Sequence, residues 1–87
     1  MTYSELINQV KSLGFKIPMG ASDSWEPSLS EFINACGKDF RLLLRIPEEN
    51  SEPVIWSVSS KKEGVLDEIG LSAEEAVAKL WISLNKK

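Results

Sequence analysis

Apolar positions along this chain recur first with a helical period, then in alternation, then with a helical period again. Tyr3, Leu6, Ile7, Val10 and Leu13 share one helical face. The stripe stops at Gly14, a residue suited to the left-handed backbone that closes a helix, and Phe15 follows where a Schellman cap sets an apolar contact back to Val10. A shorter stripe runs through Leu29, Phe32, Ile33 and Cys36 and ends at Gly37. The third comprises Ala73, Ala76, Val77, Leu80 and Leu84, with Trp81 at its margin and Ile82 nearly opposite, on the outer face. Each stripe opens on the same signal: Thr2 with Glu5, Ser28 with Glu31, Ser72 with Glu75. In each pair the hydroxyl accepts from a free N–H of the first turn while the glutamate reaches back to the cap residue. Leu71 is placed to staple onto Ala76, and Lys79, Lys86 and Lys87 lie toward the negative end of the last helix dipole.

Between the second and third stripes the period becomes that of a strand. Phe40, Leu42, Leu44 and Ile46 alternate with Asp39, Arg41, Leu43 and Arg45; Val54, Trp56 and Val58 alternate with Ile55, Ser57 and Ser59. The pattern predicts a hairpin with one core face and one wetter face, joined by the polar loop Pro47–Pro53. A second turn is expected over Ser59–Gly64, and Val65, Leu66 and Ile69 suggest a short third strand that Asp67 and Glu68 weaken. The order is α-α-β-β-(β)-α. The expectation is one α+β domain over residues 1–87: a small antiparallel sheet with helices packed mainly on one face.

Composition narrows the chemistry. Eighty-seven residues suffice for one modest core. Cys36 is the only thiol, so no internal disulfide forms. No apolar run approaches ~18 residues, and the first residues lack a basic then apolar leader, so the expected compartment is the cytoplasm with no membrane contact. There is no histidine. That removes the commonest general base, the commonest metal ligand and every Ser-His or Cys-His nucleophile. A net charge of −3 disfavours nucleic acid as a partner, because it is the wrong sign for a surface that neutralises phosphates.

The residues left over define the candidate surfaces. Trp25, in the long Phe15–Pro27 connection, reads either as a lid on the core or as a binding anchor. Glu48, Glu49, Asn50 and Glu52 offer oxygens but lack the alternating spacing and central glycine of a calcium loop, so no metal and no cofactor are expected. Arg41, Arg45, Lys61 and Lys62 form a candidate basic patch without aromatic stacking positions on the same face. Cys36, at the C-terminal end of its helix, is poorly placed for activation and reads as core. Leu43 and Ile55 on the wetter sheet face, rimmed by Arg41 and Arg45, have the anatomy of an interface, and Ile82 adds an outward apolar group. No catalytic residue stands out.

Ala35-Cys36-Gly37-Lys38-Asp39-Phe40 and the ending Ser72–Asn85 (SAEEAVAKLWISLN) resemble segments of small phage and prophage proteins. Those chains often close with a similar "PEEAVARLW" helix after a tryptophan-containing hairpin. The resemblance covers roughly the last 55 residues. Ser72-Ala73 stands where Thr-Pro is usual, and the N-terminal segment is longer. It implies a phage-related origin and carries over no activity. The closing helix is also similar to HicB-like antitoxin domains, through a generic cap-plus-helix pattern. The functional expectation is a non-enzymatic domain that binds a host or phage protein, or a second copy of itself, in the host cell cytoplasm. The alternatives are a nucleic-acid-associated or antitoxin-like regulator and a phage inhibitor of host defence.

Overall fold

All three capping signals start helices. In the computed structural model, which describes residues 2–46 and 54–86, α1 spans Tyr3–Ser12, α2 Leu29–Cys36 and α3 Ala73–Asn85. The first two carry complete capping boxes, with hydroxyl-to-amide distances of 3.1 Å at Thr2 and 3.2 Å at Ser28. At α1 the Glu5 carboxyl is held below its ordinary pKa, chiefly by the Thr2 backbone amide it accepts from. The third box is shifted by one residue. Ser72 accepts from the Glu75 amide at 3.1 Å, but the Glu75 carboxylate reaches past the cap to the Leu71 N–H at 2.6 Å. Leu71 is exposed and does not close a staple.

The end of α1 is a full Schellman motif. Gly14 adopts φ 96°, its N–H donates to the Lys11 carbonyl at 3.1 Å, and the Phe15 N–H donates to the Val10 carbonyl at 3.3 Å. This turn drives Phe15 inward, where its ring meets Phe32 at 5.3 Å and Trp81 at 5.1 Å, both edge-on. One aromatic residue thereby ties all three helices together.

The sheet has three antiparallel strands in the order β1 (Phe40–Ile46), β2 (Ile55–Ser60), β3 (Glu68–Gly70). The third strand exists, starting three residues beyond Val65. Strand β2 has the expected phase: Val58 is fully buried and Trp56 packs on the core. Strand β1 does not. Phe40 pairs with Ser60 but Leu42 pairs with Ser59, so Arg41 is an extra residue and a β-bulge shifts the phase. From there on, Leu43 faces the core opposite Val58, while Leu42, Leu44 and Ile46 face outward. The single-face alternation expected from Phe40 to Ile46 is broken after its first member.

Helix α3 lies at the centre, in contact with α1, α2 and all three strands. Its approach to β3 depends on Gly70, where a Cβ would stand 2.7 Å from the Ala76 amide nitrogen. Ile82, expected on an outer face, is buried because α1 covers that side: it lines a shallow hollow with Leu6 and Gln9. Lys79 does not serve the end of α3; its ammonium donates to the Ile69 carbonyl at 3.0 Å. The Pro47–Pro53 loop with its calcium-like acids, and Lys87, lie outside the described residues.

Two substitutions test this packing. Gly70→Ala should lower stability by about 1–3 kcal/mol in urea unfolding, since the added methyl meets backbone. In dilute solution Leu43→Glu should cost at least about 2 kcal/mol and Leu44→Glu no more than about 0.5 kcal/mol. The reverse ranking would contradict the bulge.

Candidate functional site

Cross-strand partners share a face, so the register assigns every strand residue to one side of the sheet. Toward α3 lie Leu43, Val58, Trp56, Glu68 and Gly70. The Glu68 carboxylate on this side accepts from the Ser83 hydroxyl at 2.9 Å, fixing β3 to α3. On the opposite side Leu42 pairs with Ser59, Leu44 with Ser57, Ile46 with Ile55, and Ser57 with Ile69. Among the described residues no helix covers this side. Leu42 is 42% exposed, Leu44 48%, Ile46 43% and Ile69 56%; Leu71, just past β3, is 69% exposed. An antiparallel sheet with one free face ordinarily carries polar residues there. Here the paired positions of the free face are aliphatic with two serines in the middle strand and carry no charge; the exposed, unpaired Arg41 stands at the bulge end beside Leu42. At the β3 end of this face Ile55, Ile69 and Leu71 line a shallow hollow with Glu75 and Lys79 at its rim.

The residues singled out from sequence are divided by this arrangement. Ile55 is on the free face. Leu43 and Ile82 are in or against the core and are not available to a partner. Arg41 is exposed at the bulge, and Arg45, also exposed, stands on the helix side opposite Trp56, so the two do not rim one patch. Lys61 adjoins the bulge end, its N–H donating to the Asp39 carbonyl at 2.8 Å. Arg45 is at the other end of the hairpin. Trp25 is half-buried, packs on the core and stacks obliquely on Phe15 at 6.4 Å; the Asp23 carbonyl nearby accepts from Lys11 at 2.9 Å. Its position is that of a lid.

The free-face residues that sequence reasoning missed are Leu42, Leu44, Ile46, Ile69 and Leu71. The signal was present in the unbroken run Leu42-Leu43-Leu44. Three successive apolar residues make both faces of a strand apolar whichever way it is turned.

Two other places bring polar or reactive groups together with a hollow or the core. The N-termini of all three helices meet at one open groove lined by Tyr3, Ser28, Leu29, Ser72, Glu26 and Glu74. The capping side chains already occupy amides there and the groove is acidic, so it offers nothing to an anion. Burial, reinforced by Glu26, Glu74 and Glu75, pushes the Tyr3 hydroxyl up to about 12. Cys36 is buried; desolvation, with Asp39 adding to it, pushes its thiol up to about 11. Among the described residues no helix is long and apolar enough to cross a membrane, and no three acidic or thiol side chains gather as a metal site. Comparison with protein-family models, with curated proteins and with solved structures returns no match to the chain.

The two raised pKa values have a shared consequence. Both groups hold their protons longer folded than unfolded, so stability is complete at neutral pH and declines as pH rises. The Cys36 part is lost between about pH 9 and 11, the Tyr3 part between about pH 10 and 12. Thermal melts should fall across that range, and Cys36→Ala should flatten its lower half. A thiol reagent at pH 8 should label Cys36 only after urea unfolds the chain.

Proposed function

We propose that this chain is a non-enzymatic protein-interaction domain of phage or prophage origin, working in the cytoplasm, and that it docks partners on the free face of its sheet. The observation that carries the reading is the aliphatic surface made by Leu42, Leu44, Ile46 and Ile69 beside Ile55, paired positions that carry no charge. Leaving such a continuous patch in water forgoes the stabilisation that burying it would bring, at roughly 25 cal/mol per Å². Patches of this kind on small proteins mark contact surfaces. The buried, proton-holding Cys36 supports the non-enzymatic part, because the one thiol is withheld from substrates. The likeness of Ser72–Asn85 to the closing helix of small phage proteins supports the origin. A host or phage protein is the partner this reading requires, and inhibition of a host process is one form its binding would take.

The test is affinity capture from host lysate with three baits: wild type, Leu44→Glu on the face, and Leu66→Glu, which changes an exposed residue in the turn before β3. A partner held by wild type and Leu66→Glu should be lost with Leu44→Glu. Retention by all three would remove the free face from the proposal. Capture that vanishes after nuclease treatment, or that weakens steeply with added salt, would replace it with the nucleic-acid reading.

A further inference from the structure

Resting on the docking role just proposed, the geometry points to the identity of one occupant: we infer that a second copy of this chain covers the free face, the two sheets packing face to face about a two-fold axis. Charge is the first argument. In a two-fold interface every group meets the same kind of surface on the other copy, so a charged residue within it brings like charges together in a dry environment. The paired positions of the free face hold aliphatic side chains and serines and no charge, although 26% of the chain is charged; among the described residues the charges beside it, Arg41 at the bulge end and Glu75 and Lys79 at the β3 end, stand at its margin. Self-pairing through the paired positions therefore sets no like charges against one another at the centre.

Shape is the second argument. Ser57, in the middle strand, sits in register with Leu44 on one side and Ile69 on the other. A small residue flanked by two large ones makes a furrow between ridges. Two-fold packing seats the Leu44 ridge of each copy in the Ser57 furrow of the other, as the inner faces of a β-sandwich interlock at about 10 Å. The edges Leu42 and Ile46 flank the same seam.

Area is the third. The exposed fractions of the five aliphatic residues amount to on the order of 450 Å² per copy, within the range of the largest apolar patch on a monomer. Two faces in contact, with Ile55 and the serines included, remove on the order of 1,100 Å² from water, just above the lower bound for a specific interface. An interface at this lower end of the size range belongs with weak, reversible associations, so the dimer is sought at high protein concentration.

Sedimentation equilibrium or light scattering from about 1 to about 500 µM, a span wide enough for a weak association, reads the result directly. The wild-type mass should rise from 9.7 kDa toward twice that value. Leu44→Glu and Ile69→Lys should stay at the monomer mass throughout while keeping the wild-type circular dichroism and dilute-solution melting temperature. A wild type that remains at 9.7 kDa over the whole range overturns the inference, as does a doubled mass that neither substitution reduces. A monomeric wild type whose captured partner is still lost with Leu44→Glu overturns self-association and leaves the docking face standing. A monomer whose capture is indifferent to the substitution overturns both.

Discussion

Burial of α3 on almost every side is the constraint from which the rest of this structure follows. Ala73, Ala76, Val77, Ala78, Leu80, Trp81 and Ile82 are all buried, and they point around most of the helix circumference. A helix apolar over so much of its surface needs neighbours in several directions at once. In a chain this short every other element is drawn into that task. The sheet takes one side, α1 covers Ile82, and α2 meets the Trp81 side through Phe15 and Phe32. Small residues set the close distances. Gly70 lets β3 touch the first turn of α3, where Ala76 presents little beyond backbone.

Placing α3 at the centre has a consequence on the far side of the sheet. All three helices are committed to one face, so among the described residues no element covers the other. The bulge at Arg41 then decides what that other face carries. With the extra residue, Leu43 enters the core and the three aliphatic residues Leu42, Leu44 and Ile46 turn outward. A monomer's stability gains nothing from that arrangement, which is why the free face is the most informative surface in the molecule. Its middle strand, with Ser57 between large neighbours, has a shape suited to a facing sheet.

The groove at the helix N-termini is built differently. The three helix N-termini converge there, yet each finds its partners among its own cap residues. Glu26 and Glu74 make the groove acidic, and with Glu75 they add to the burial that raises the pKa of the Tyr3 hydroxyl. Polar groups around this groove are used to start helices, and the thiol of Cys36 is used as a small core group.

How much was legible in the sequence follows from how local each feature is. Helix starts and the close of α1 were legible because the atoms involved lie within a few residues of one another: Thr2 with Glu5, Gly14 and Phe15 with Lys11 and Val10. The α+β order, the phase of β2 and the burial of Cys36 were legible from periodicity. Three features were decided only by tertiary structure. The phase of β1 depends on Arg41 being left without a partner on β2, and pairing between strands is invisible in a run such as Leu42-Leu43-Leu44. The burial of Ile82 depends on α1 lying across α3, whereas the periodicity of α3 describes only its own surface. The exposure of Leu42, Leu44 and Ile46 depends on all three helices packing on the other face of the sheet. By itself the sequence determined which segments become helix or strand, because that is settled by neighbours along the chain. Which apolar residues are core and which are left facing outward was decided by the packing of those segments, because burial is a property of neighbours in space.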